Sequence, residues 1–213
     1  MKKIVLVGGG GHCKSVLDTL KELNQFEVVG ILDNKEKVGL NIMGVPFIGT
    51  DEDSIKVFES GVKYAFVTVG SIGNAELRKK LYRDLKSIGF ILTPIVDKTA
   101  IISENTKIDE GTFIGKGSII NANSIIGKMC IVNTGVIIDH DCIVNDFVHI
   151  APGSILCGGA SIGEDSHIGT GTKIIQGISI GSNTLIGAGS LVVRDMGNNL
   201  VCFGSPCKKI KDK

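Results

Sequence analysis

The chain reads as a small open α/β domain followed by a parallel β-helix, and three observations predict this. Strand and helix signals alternate through residues 1–94. An aliphatic residue then falls at every sixth position from Ile102 to Val192 without a break. The period changes near Pro94, so the expected division is residues 1–94 and residues 95–213, the latter including a carboxyl-terminal tail.

In the first part, the apolar run Lys2 to Val7 ends at Gly8, as a buried parallel strand should. Val16, Leu17, Leu20 and Leu23 follow at helical spacing, and Val28 to Asp33 reads as a second strand. Tyr64 to Val69 forms another, ending at Gly70. From Asn74 to Ser87, residues Leu77, Leu81 and Leu85, continued by Ile88, share one helical face. The order is β-α-β, hence an open parallel sheet.

In the second part, the sixth-position series is Ile102, Ile108, Ile114, Ile120, Ile126, Val132, Ile138, Val144, Ile150, Leu156, Ile162, Ile168, Ile174, Ile180, Ile186 and Val192. Four positions after most of these stands a small or β-branched residue, such as Ser118, Cys130 or Thr172. Neither a helix nor a hairpin sheet has this period. A prism-shaped coil does, with one short strand and one corner per hexad. Three sides give 18 residues per coil, and coils stack at the ~4.8 Å spacing of neighbouring strands. Positions 18 apart therefore lie one above another. Gly158 falls above His140, His167 above His149, and Ala188 above Thr170, the last pair flanked by glycines that leave a groove for an extended ligand.

Composition bounds the partners. Hydrophobic residues make up 43% of the 213 and aromatics only 5%, so the core is sizeable and aliphatic. The net charge is +1 with both signs interspersed, which leaves no footprint for nucleic acid or an anionic membrane and favours a small-molecule partner. The apolar start, Met1 to Val7, is too short for a signal or membrane-spanning segment. Six cysteines show no C-x-x-C pair and no zinc-like spacing. Free thiols in the cytoplasm, with no metal, are the expectation.

Four segments narrow the reading further. They are Gly8-Gly9-Gly10-Gly11-His12, Asn133 to Cys142 with its Asp139-His140-Asp141, Phe147 to Gly153, and Gly204-Ser205-Pro206-Cys207-Lys208. In this order the chain resembles, along nearly its whole length, the bacterial sugar acetyltransferases of the hexapeptide-repeat, left-handed β-helix type. That family includes UDP-4-amino-sugar N-acetyltransferases and sialic acid O-acetyltransferases. The resemblance implies a Rossmann-like nucleotide-sugar-binding domain, acetyl-CoA lying along a left-handed parallel β-helix, and a homotrimer with sites between subunits. It implies that His140 is the general base, that Asp141 raises its basicity, and that Gly158 offers its backbone N–H to the thioester oxygen. It assigns His149 to the neighbourhood of the acetyl group, Thr170 and Ala188 to the cofactor, and Gly10, Gly11, His12, Asp33, Asn34 and Gly70 to the nucleotide sugar. Two departures stand out: Asp141 where the family has Glu, and Cys207 where the tail motif has Ala.

The chemistry is consistent with these roles. A neutral imidazole of reference pKa ~6.5 suits a base near pH 7, and such a base contributes on the order of 10²–10⁴-fold. Successive residues on a flat strand face opposite ways, so Asp141 reaches His140 only at a corner, or acts across a subunit boundary. Gly8-x-Gly10-x-x-Cys13 lacks the third glycine of the dinucleotide fingerprint, but a helix starting near His12 can present N–H groups to a diphosphate. Asp33, ending the second strand, is placed to accept a bond from a sugar hydroxyl or amine. His167 is read as structural or groove-lining. The first functional expectation is N-acetylation of the 4-amino group of a UDP-linked deoxy-amino-sugar. The alternative is O-acetylation of a sialic-acid-like sugar, and the non-enzymatic alternative is a β-helical scaffold.

Overall fold

A computed structural model describes all of residues 1–213. The first domain carries strands β1 (Lys2–Val7), β2 (Phe26–Leu32), β3 (Asn41–Ile42), β4 (Val45–Gly49) and β5 (Tyr64–Val67) in the order β3-β4-β2-β1-β5. All pairings are parallel except that of the edge strand β3 with β4. Helices α1 (Gly11–Leu23), α2 (Ser54–Glu59) and α3 (Glu76–Ile88) connect or flank the strands. The glycine loop, Asp33 and Gly70 thus follow the carboxyl ends of β1, β2 and β5, the edge at which open parallel sheets bind ligands.

Strands β6 (Ile95–Val96) to β22 (Leu191–Val192) are two residues each and start six residues apart. They form three ladders, called here face I (β6, β9, β12, β15, β18, β21), face II (β7 to β22 in threes) and face III (β8 to β20 in threes). Register is 18 throughout, as in Ile119↔Ile137 and His149↔His167. The second residue of each strand points inward, so Ile114, Ile138, Leu156 and Ile174 are fully buried. Small residues fill the corners: Ser118, Ser124 and Ser154 are buried and donate to carbonyls of the next coil, as Ser118 Oγ does to Asn133 O at 2.9 Å.

Two features depart from the hexad expectation. The coil begins one hexad early, because β6 pairs with β9 through Ile95↔Phe113. Its last coil is two residues short: Met196 bridges Ile180, and β23 (Leu200–Gly204) pairs with β21 as Val201↔Leu185, an offset of 16. Strand β24 (Cys207–Asp212) closes this end as a hairpin on β23. All six cysteines are free, and Cys130, Cys142, Cys202 and Cys207 belong to the apolar interior of the prism. No helix is long and apolar enough to cross a membrane.

The α/β domain sits on face I. Phe113 and Ile131 of that face pack with Cys13, Val16, Leu17 and Leu20 of α1. Helix α3 meets the corner between faces III and I, where buried Arg78 donates to the carbonyls of Met129 (2.9 Å) and Phe147. Arg78, not Leu77, joins Leu81 and Leu85 on the buried stripe of α3, and Leu77 is 52% exposed beside the glycine loop.

Candidate active site

The corner between faces II and III carries the only exposed histidine of the four. The chain turns there through residues 139–142, with Asp141 at φ +59. That left-handed residue breaks the strand's alternation, so two consecutive side chains come to the same side. His140 Nδ1 and Asp141 Oδ2 lie 2.8 Å apart. The shorter Asp therefore reaches the ring, and it does so at a corner. Asp141 Oδ1 accepts from Asn123 Nδ2 at 3.3 Å, and Asp139 Oδ1 accepts from Asn121 Nδ2 at 3.0 Å and from the His140 N–H at 2.9 Å. The Asp141 contact, with Asp139 nearby, raises the His140 pKa above its ordinary value, and the imidazole holds Asp141 below the usual carboxylate range.

Gly158 lies under this ring. A Cβ built on it would stand 2.6 Å from both Cε1 and Nε2 of His140, so only glycine lets the imidazole lie there. Its N–H donates to no carbonyl of the chain, whereas the next rung is tied by Gly159 N–H to His140 O at 2.9 Å. A bare Cα, a free N–H and an imidazole whose Nδ1 is held by a carboxylate therefore share one point on the surface. The asparagines had a signal in the sequence: Asn121 and Asn123 stand 18 residues before Asp139 and Asp141.

Gly10, Gly11, His12, Asp33, Asn34 and Gly70 come together in the α/β domain, lining a cleft of about 460 Å³ with Lys37 and Asp51. Gly8, at φ +104, packs against Val69 where no side chain fits. By contrast, a Cβ on Gly10 or Gly11 would meet nothing within 4 Å, so packing does not demand glycine there and the backbone is left bare to a ligand. No side chain caps α1, whose first N–H groups face this cleft. Asp33 is more occupied than the sequence suggested: its Oδ2 accepts from Gly9 N–H (2.5 Å) and Lys37 Nζ (2.9 Å), and its Oδ1 from Asn34 N–H (2.6 Å). It holds the loop in shape through these contacts, and together they keep its carboxyl below its ordinary value.

His149 lies on the outer side of face I, apart from the His140 corner. Its Nδ1–H donates to Ser71 O at 2.6 Å, next to Gly70, which leaves Nε2 a bare and enclosed acceptor. His167 stacks edge-on to it at 4.8 Å, and the Nε2 of His12 is likewise enclosed without a partner. Burial drives the three pKa values down, to about 3 for His12 and about 4 for His149 and His167, so all are neutral at pH 7. Thr170 and Ala188 occupy the corner between faces I and II, one above the other, with Gly189 N–H donating to Thr170 O at 2.8 Å. One chain thus places the expected residues in separate groups. The His140 corner is the vertex opposite face I, and the glycine-loop cleft sits on the face I side. No group of three or more His, Cys, Asp or Glu residues is placed to hold a metal ion.

Hexads stacked three to a coil, with an imidazole–carboxylate pair presented at one corner, define a hexapeptide-repeat acyltransferase. Residues 3–85 match the family described as PglD N-terminal domain, and residues 159–194 match the bacterial transferase hexapeptide repeats. Compared by sequence with curated proteins, the chain matches none. Among solved structures it is similar to a histidine-to-asparagine mutant of perosamine N-acetyltransferase from Caulobacter crescentus in complex with CoA and GDP-perosamine. There the identity is 35% over 100% of this chain and 98% of that one, with a TM-score of 0.94. It is also similar to the acetyltransferase domain of PglB from Neisseria gonorrhoeae FA1090 in complex with acetyl coenzyme A, at 31% identity over 98% and 99% of the two chains and a TM-score of 0.91. WeeI from Acinetobacter baumannii AYE, 22% identical over 99% of this chain and 100% of its own, shares the fold at a TM-score of 0.86. The chain belongs to the hexapeptide-repeat sugar N-acetyltransferase family.

Proposed function

We propose that this enzyme transfers the acetyl group of acetyl-CoA to the 4-amino group of a nucleotide-linked deoxy-amino-sugar, with His140 as the general base. The observation that carries the reading is the His140 ring, held by Asp141 and lying on Gly158 beside a free N–H. Neutral His140 takes the proton from the amine as nitrogen bonds to the acetyl carbon, and as the C–S bond breaks the imidazolium returns that proton to the departing sulfur, so that CoA leaves as the thiol. The Gly158 N–H is free to donate to the oxygen on which charge develops. Small residues around Thr170 and Ala188, with Gly171 and Gly189 open to solvent, give the pantetheine arm a surface it can approach closely. The relative with CoA and GDP-perosamine bound favours N- over O-acetylation.

The uncapped start of α1, with Gly10, Gly11 and His12, suits the diphosphate, and Gly70 with Ser71 leads toward the sugar end. UDP is the carrier expected from the sequence. GDP is the second reading, favoured by the GDP-perosamine of the relative, and the glycine loop serves a diphosphate common to both.

A homotrimer completes the site in this reading. Face I is covered by the chain's own domain, while Ile101 on face II (66% exposed) and Ile125 and Ile143 on face III (43% and 45%) form uncovered apolar ladders. Two different open faces of one prism can pair heterologously, and a trimer with sites between subunits is the assembly the family resemblance implies. Free cysteines, five of the six buried, fit the reducing cytoplasm.

The test is coenzyme A release with UDP-linked and GDP-linked 4-amino-sugars and with sialic acid. Turnover of a nucleotide-linked amine supports the reading, and turnover of sialic acid alone overturns it.

A further inference from the structure

At the carboxyl edge of the sheet the glycine loop has unlike neighbours. Strand β5 lies on one side of β1, and β2 then β4 lie on the other. On the β5 side Gly70 and Ser71 lead to His149, whose Nδ1–H the Ser71 carbonyl accepts. On the other side the cleft opens, past Asp33 and Asn34, into a hollow of about 330 Å³ that also takes in Lys35, Asp51 and Glu52. Asp33, Asn34 and Asp51 line both spaces, so the two are continuous. A diphosphate on the start of α1, with its sugar toward Ser71, therefore sends its nucleoside toward β2 and β4. The end of β4 is two strand spacings from β1, ~10 Å, a distance that a ribose and its base together cover.

The charged groups on this side differ in how far they are already committed. Asp33 accepts from Gly9, Asn34 and Lys37, and Asp53 from Thr50 and Lys56. Lys35 and Asp51 are both exposed in the hollow, and neither side chain makes an ion pair or hydrogen bond, with the other or with any group of the chain. Lys80 on α3, near enough to act on the Asp51 charge, is held by Asp84 at 2.8 Å. The hollow thus presents one free acceptor and one free donor of opposite charge.

Nucleobases differ in how they meet such a pair. Guanine presents O6 as an acceptor, then N1–H and N2–H as adjacent donors. A carboxylate accepts from both N–H groups at once, and an ammonium donates to O6. Uracil presents one donor, N3–H, between the acceptors O4 and O2. A carboxylate facing that edge gains one bond and opposes a carbonyl oxygen.

We infer that Asp51 selects a guanine nucleotide by accepting N1–H and N2–H of the base, with Lys35 donating to O6. This rests on the nucleotide-sugar reading of the cleft and decides its carrier, GDP in place of UDP. Asp51 is assigned over Glu52 because it lines the cleft as well as the hollow, whereas Glu52 lines the hollow only.

The test is binding of GDP, inosine diphosphate and UDP, measured by titration calorimetry. Coenzyme A release with GDP-linked and UDP-linked 4-amino-sugars runs alongside it. Wild type should bind GDP ~10–100-fold more tightly than UDP, the scale of one bidentate contact to a base. Inosine diphosphate, which lacks the 2-amino group, should fall between them. Asparagine offers one acceptor and one donor, which match N3–H and O4 of uracil as well as N1–H and O6 of guanine. Asp51→Asn should therefore tighten UDP and bring the ratio of the two affinities near one. Lys35→Ala should weaken GDP and inosine diphosphate by the same factor, because both carry O6, and no weakening removes that contact. Wild type that binds UDP as tightly as GDP overturns the proposal. So do equal affinities for GDP and inosine diphosphate, or a wild-type ratio in Asp51→Asn. Turnover of the UDP-linked amine with a matching UDP preference overturns the proposal alone. No turnover of either carrier by wild type, with no binding of any nucleotide, overturns the nucleotide-sugar reading and the proposal together.

Discussion

Replacing Gly158 by alanine puts a methyl group where the His140 imidazole lies. The new Cβ would be 2.6 Å from Cε1 and Nε2, against 3.4 Å for ordinary contact, so the ring must retreat by about 0.8 Å. It is free to do so, because the His140 side chain is 54% exposed and only Asp141 holds it. Gly158 has no left-handed φ, so alanine adds no backbone strain and is expected to raise stability by ~0.4–1 kcal/mol. Displacing a catalytic group by ~1 Å costs about 10²-fold in rate, or ~2.7 kcal/mol of barrier. The expected enzyme melts at or slightly above the wild-type temperature and has lost about two orders of magnitude in kcat/KM. The amide N–H survives the substitution, so the loss reports the position of the imidazole. In a His140→Ala background the same change should add almost nothing, since both act through one ring. Wild-type kcat/KM for Gly158→Ala, or a loss that simply adds to that of His140→Ala, would refute the reasoning.

Asp141→Asn removes the charge that stabilises the imidazolium. As the proposed base, His140 must be neutral to act, and its pKa is raised in the folded protein, so the proposal predicts that kcat/KM falls on acidification below a midpoint above the ordinary imidazole value of ~6.5. The asparagine variant should shift that limb to lower pH, read from a pH–rate profile with saturating acetyl-CoA. His12, His149 and His167 are held neutral by burial, with folded pKa values of about 3, 4 and 4. Below the unfolded value of ~6.5 the unfolded chain binds protons that the folded chain refuses, so stability falls between about pH 6.5 and pH 4. Thermal melts should show this slope, and His167→Gln should flatten it. Ile125→Glu with Ile143→Glu puts charge on the open ladder of face III. Gel filtration should then show monomers in place of the proposed trimers, and activity should fall with the loss of sites between subunits.

The β-helix was almost fully legible because a six-residue period leaves one choice of inward residue per side. Ile138, Val144 and Ile150 were each placed on the right strand by spacing alone. The shortened last coil was not, since Met196 fits no hexad, and the first strand fell within the expected β-helix but outside the aliphatic series, which begins at Ile102. The hairpin of Asn41–Ile42 with Val45–Gly49 gave no signal: a two-residue edge strand is too short to show alternation, and Pro46 obscures its partner. In the site, the column rule put Gly158 beside His140, and it contains Asn121 and Asn123 as well. What it omits is the left-handed turn at Asp141, which decides that His140 and Asp141 face together. It also omits Lys37, whose bond to Asp33 occupies a carboxylate the sequence left free for substrate. Arg78 was hidden for another reason: a cation buried against carbonyls of a distant corner leaves no local pattern.

The account turns on the imidazole at the corner of faces II and III being the base for acetyl transfer. The direct measurement is kcat/KM for acetyl transfer from acetyl-CoA to a nucleotide-linked 4-amino-sugar, comparing wild type with His140→Ala at pH 7. The account predicts a loss of ~10²–10⁴-fold with the melting temperature unchanged. A His140→Ala enzyme that turns over at the wild-type rate would contradict it.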